Sequence, residues 1–99
     1  MKINILVFEM IVKFVLSDYV EQALTQATYD KLADNSFVGR IPECQGVIAF
    51  GNSLRECEYE VHSVLEDWLF LGLKLGHDLP VISGIDLNRV PSHEPIESL

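Results

Sequence analysis

A chain of 99 residues is the size of one small domain with one modest hydrophobic core. Its 48% hydrophobic and 22% charged residues exclude an intrinsically disordered chain. The formal net charge of −8 argues against a phosphate backbone as the direct partner, which would need clustered Lys and Arg; it suits a basic protein partner, or solubility alone.

The first stretch, Met1 to Leu16, is apolar enough to raise a signal peptide or a membrane span. Glu9 and Lys13 interrupt it, it is shorter than the roughly 18 residues a span requires, and no small-residue cleavage site follows. Neither segment is expected, nor is membrane association. Within it, Ile3, Ile5 and Val7 fit a strand or an added helical turn. From Val12 the apolar residues recur at Val15, Leu16, Tyr19, Val20, Ala23, Leu24 and Ala27, with Asp18, Glu21, Gln22 and Thr25 opposite. That spacing predicts a helix over 11–27.

Three short β-rich pieces follow over 28–51: Thr28–Leu32, Phe37–Ile41 and Val47–Phe50. Asp34 and Asn35 supply the turn conformations of a hairpin between the first two. Pro42 lacks the N–H a ladder needs, and Gly46 accepts the positive φ that turns the chain back. A three-stranded antiparallel meander results.

The long helix is predicted over 53–75. Ser53 and Glu56 match a capping box, in which each side chain satisfies a free N–H of the other's backbone. Leu54, Cys57, Val61, Val64, Leu65 and Trp68 form its buried stripe, Lys74 suits the last turn, and Gly76 the αL cap. Leu79-Pro80-Val81-Ile82 offers a short last strand. Residues 1–88 then read as a single α+β domain, and 89–99 as a mobile tail.

Two surfaces look too apolar to stay wet: the third strand on both faces, and the helix from Trp68 to Leu75. Phe50, Trp68, Phe70 and Leu73 are therefore candidates for an oligomer contact or core, with a homodimer the simplest closed form. Gly39 in mid-strand calls for the close approach of another backbone or of a bulky side chain, for which Trp68 is a candidate.

Chemistry is scarce. No nucleotide loop, zinc spacing, nucleophile elbow or Ser/His/Asp set is visible, so neither catalytic residues, metal nor cofactor are expected. Cys44 and Cys57 form no disulfide framework and fit a reducing cytoplasm. His62 reads as a solvated helix residue, His77 as a helix-end cation, and His93 carries no signal. Asp30 with Glu56 and Glu60 would be the only route to a metal-dependent nuclease, and Glu56 is already committed to the cap. Arg40, a basic residue within the second strand, reads as a surface ion pair or an interface anchor.

The stretch DNSFVGRIPECQGVIAFGNSLRECEYEVHSVLEDWLFLGLKLGHDLPV resembles the HicB-like antitoxins of bacterial toxin–antitoxin systems. The features that carry the likeness are ordered along the chain: Asp34 to Phe37, Ile41-Pro42, Gly46, Gly51, Ser53-Leu54, Glu56-Cys57, and Glu66 to Trp68. The resemblance implies a partial ribonuclease-H fold without catalysis. It implies a partner too: a small basic HicA-like toxin that cleaves RNA, masked by the antitoxin. Arg40, Glu43, Glu58 and Glu66 are the candidate contacts for it. Too few residues follow Asn88 for the DNA-binding domain many such proteins carry, so direct DNA binding is not expected. The alternative reading is a self-assembling interaction protein without a toxin.

Overall fold

The ladder of the sheet sets everything else, because its register decides which side chains meet the core. In the computed structural model, which describes residues 4–89, β1 (Thr28–Lys31), β2 (Phe37–Arg40) and β3 (Ile48–Gly51) form an antiparallel sheet in that order. Tyr29 pairs with Gly39 and Gly39 with Ala49, so these three share one face. Asp30, Val38 and Phe50 share the other face, as do Thr28, Arg40 and Ile48.

Helix α2 (Leu54–Leu75) lies on the first of these faces. A Cβ built on Gly39 would sit 2.6 Å from Val61 and 2.7 Å from Tyr29, and one on Gly51 would strike the backbone of Cys57. Glycine at both positions lets helix and sheet approach. Trp68, expected beside Gly39, instead lies next to Gly46, and its indole N–H donates to the Gln45 carbonyl at 3.1 Å. Trp68 therefore fixes the β2–β3 turn, where Gly46 takes φ 101°. Cys57, Val61, Leu65, Leu69 and Gly72 are the buried stripe of α2. Leu54 lies exposed at its start, and Val64 and Trp68 are half-buried at its margin.

The expected capping box forms with one shift. Glu56 N–H donates to Ser53 Oγ at 3.1 Å, but the Glu56 carboxylate accepts from the N–H of Asn52 rather than of Ser53. Gly76 closes the helix at φ 72°, and the His77 N–H returns to the Gly72 carbonyl.

Helix α1 (Ile5–Thr25) is longer at its start and shorter at its end than periodicity indicates. Ile5 and Val7 extend the helix and are not a strand; Ile3 lies outside the described residues. Asn4 caps it through Leu6 N–H. The C-terminal half packs on the core through Tyr19 and Ala23, and the Tyr19 hydroxyl donates to the Pro80 carbonyl at 2.7 Å. In the other half Phe8 is buried, while Ile5, Leu6, Val7, Met10, Ile11 and Phe14 are exposed. The molecule measures 58 × 22 × 21 Å with a Cα radius of gyration of 16.1 Å. A compact domain of this length has about 13 Å.

The strand limits differ from expectation by one residue each: Leu32, Ile41 and Val47 fall outside the strands, and Gly51 joins β3. No fourth strand joins the sheet among the described residues. Leu79–Ile82 instead enters a small bridge, Ile82 to Ile85, around the positive-φ pair Ser83 and Gly84. The Asn88 side chain holds this segment, accepting from Leu79 N–H and donating to its carbonyl. A 3-10 turn, Leu87–Arg89, ends the described chain. The rest of the expected mobile tail lies outside the described residues.

Candidate functional site

The site is a surface. Among the described residues no three His, Cys, Asp or Glu side chains come together as a metal site. The register places Asp30 on the sheet face away from α2, on which Glu56 and Glu60 lie, so the three are not brought together.

Both cysteines are free and buried. Burial pushes each thiol above its ordinary pKa; the neighbouring Glu58 and Glu56 add to it at Cys57, and the Tyr19 hydrogen bond opposes it at Cys44. Neither thiol has the thiolate character a nucleophile needs. Burial likewise raises the phenol of Tyr19, with Cys44 beside it adding to the shift. Burial raises Tyr29 as well, with the charge of Glu58 as the next cause.

The candidate contact residues are all exposed, but they do not form one patch. Arg40 stands on the outer sheet face beside Ile48, and makes no ion pair among the described residues. Glu43 lies in the β2–β3 loop, at the rim of a cleft with Trp68, Leu71 and Pro80. Glu58 sits on α2 toward Tyr29 of β1. Glu66 lies one turn beyond His62 and its carboxylate meets the His62 Nε2 at 3.4 Å. Glu56, Glu58, Glu60, Glu66 and Asp67 thus stand exposed along α2 without a Lys or Arg partner among the described residues.

The apolar candidates divide differently. Trp68 is half-buried and structural, whereas Phe50, Phe70 and Leu73 are exposed, Phe70 by 67%. Phe70 and Leu73 line an open cleft of about 1260 Å³ between α1 and α2, together with Phe8, Leu16 and His62. Sequence reasoning missed this cleft, the Tyr19–Pro80 bond and the Asn88 clamp. Each joins elements far apart in the chain, and a lone Tyr or Asn gives no local signal of its partner.

The model of the UPF0150-like family matches residues 18–80. The chain belongs to that family. It is also similar to a solved structure, TTHA0281 from Thermus thermophilus, at 37% identity and a TM-score of 0.73. That match covers 79% of this chain and 96% of the other. Functionally curated proteins give no match. The UPF0150-like match takes in the packed half of α1, the meander and α2, and begins after the exposed turns of α1. No helix among the described residues is long and apolar enough to cross a membrane.

Proposed function

We propose that this UPF0150-like protein is an antitoxin-type binding module that neutralises a small basic HicA-like, RNA-cleaving toxin by covering its surface. The observation that carries the reading is the excess of exposed α2 carboxylates without Lys or Arg partners among the described residues. Unpaired acidic charge steers a basic protein toward the surface and is discharged when it docks. The ordered resemblance to HicB-like antitoxins over the meander and α2 supports the same reading. The module acts by binding, in the cytoplasm, and needs neither cofactor nor DNA contact of its own.

The test is a reversal of Glu43, Glu58 and Glu66 to Lys, with a basic toxin encoded beside this chain as the partner. As surface changes, the three should leave unfolding free energy within about 1 kcal/mol. Association with the toxin should slow and lose its dependence on ionic strength. Equal association rates for variant and wild type at low salt would refute the acidic-surface account.

A second reading, self-assembly, is favoured by the exposed Phe50, Phe70 and Leu73. The two readings are compatible, since the carboxylates lie on α2 and Phe50 on the opposite side of the sheet.

A further inference from the structure

Among the described residues the sheet has two open edges, and they differ in chemistry. The β2–β3 hydrogen bonds set which backbone groups point outward. Ile41 N–H donates to the Val47 carbonyl, so the bonded pairs continue at Gly39–Ala49 and Phe37–Gly51. The N–H and C=O groups of Ile48 and Phe50 therefore point away from β2, and none has a hydrogen-bond partner among the described residues. On the far side, Leu32 N–H donates to Ser36, which leaves the groups of Tyr29 and Lys31 on the β1 edge. That edge carries Asp30 and Lys31, the charges by which proteins discourage strand addition. The β3 edge, Ile48-Ala49-Phe50-Gly51, carries none. Its outward side chains are apolar and wet, Ile48 by 48% and Phe50 by 60%.

We infer that β3 pairs antiparallel with β3 of a second copy of this chain, about a two-fold axis at Ala49, joining the two sheets into one. The edge is self-complementary in this register. Ile48 faces Phe50 of the second copy, both with their backbone groups turned outward, so each such pair exchanges both of its N–H···O bonds. Symmetry supplies the pair twice. Ala49 faces its own image as the intervening non-bonded pair, its side chain already on the α2 side. On the outer face Ile48 and Phe50 of each copy lie directly opposite, a favourable apolar cross-strand pair, with Val38 flanking Phe50. Arg40 and Asp30 lie beyond them, which gives the seam a dry centre and a polar rim.

Charge favours a second copy over a basic protein at this edge. β3 offers no carboxylate to a cation, and the only charge beside it, on β2, is Arg40. Each copy brings a net charge of −8, so the pairing must be uncharged at the seam and is opposed by the surroundings. Salt screens that repulsion and should strengthen the dimer, the reverse of its effect on a basic partner. The inference rests on the self-assembly reading and is independent of the toxin.

The experiment measures mass by light scattering from low to high salt, beside amide hydrogen exchange. Wild type should show an association that strengthens with salt, with Ile48 and Phe50 amides becoming protected as concentration rises. Ile48→Lys with Phe50→Lys places like charges opposite each other across the seam and should halve the mass. Circular dichroism and thermal unfolding of this variant are the check that it is folded. Phe70→Lys with Leu73→Lys, on the other side of the sheet, should leave the mass unchanged. A monomeric wild type would refute self-assembly itself. An associated wild type would refute only the β3 seam if the Ile48/Phe50 variant kept its mass, or if those two amides exchanged freely at every concentration. An association that weakened with salt would also count against the seam.

Discussion

The two long helices are nearly equal in length, yet they hold to the domain in opposite ways. Helix α2 repeats a buried residue every three or four positions from Cys57 to Gly72, and each end is closed by a local bond. Helix α1 buries Tyr19 and Ala23 in its second half but leaves Ile5, Leu6, Val7, Met10, Ile11 and Phe14 in water. Apolar composition is thus a poor guide to burial: the more hydrophobic helix is the less buried one. Periodicity is the better guide, because a stripe can be covered by one neighbour and a helix that is apolar all round cannot.

The largest effect should come from truncating the stripe. Leu65→Ala removes a fully buried side chain facing the sheet and should cost about 2–5 kcal/mol in chemical unfolding. Leu6→Ala changes an equally large residue that is mostly exposed, and should stay within about 0.5 kcal/mol. Comparable losses at both positions would mean that the exposed half of α1 is covered in solution.

This contrast also separates what was readable in the chain from what was not. Ser53, Glu56, Pro42, Gly46 and Gly76 announce α2 and the meander because each acts within a few residues of itself. The start of α1 was ambiguous because Ile3, Ile5 and Val7 suit a strand as well as a helix until a capping Asn4 decides. The last strand failed because Leu79–Ile82 has no neighbour in the sheet, and its Leu79 backbone groups are taken by Asn88. Of the candidate site, the exposure of Glu43, Glu58 and Glu66 was legible from helical phase and loop position. Their dispersal over different sides was not, since it depends on where α1 and the sheet meet α2.

A middle-sized effect tests a polar tie that anchors α1 to the segment after α2. Tyr19→Phe keeps the ring and removes the hydroxyl that donates to Pro80, so about 1 kcal/mol should be lost at neutral pH. The pH dependence gives a second readout. Burial raises the phenol in the folded state above its unfolded value near 10, so the stability it contributes is complete below about pH 10 and is lost as pH rises further. Cys44 and Cys57 are shifted in the same direction, so the decline should start near pH 8.5, about where free thiols titrate. Thermal unfolding of wild type should therefore fall more steeply above pH 10 than that of Tyr19→Phe. Parallel curves would mean that the hydroxyl is not shielded from water.

The smallest effect compares the two N-caps, which use the same chemistry in unequal surroundings. Ser53 Oγ accepts from Glu56 N–H at 3.1 Å, and Asn4 Oδ1 accepts from Leu6 N–H at 2.8 Å. Removing a cap costs about 1 kcal/mol of helix stability. That cost reaches the whole domain only where the first turn must form for the core to close. At Ser53 it must, because Gly51 touches the backbone of Cys57 and the turn between sheet and helix has no slack. Ser53→Ala should therefore lower global stability by about 1 kcal/mol. Asn4→Ala loosens a first turn whose residues Ile5, Leu6 and Val7 are exposed, so it can fray alone. It should speed amide exchange over the first turns of α1 and leave the global midpoint unmoved. If both variants shifted the midpoint equally, the first turns of α1 would be part of the cooperative unit, and a second surface would have to cover them.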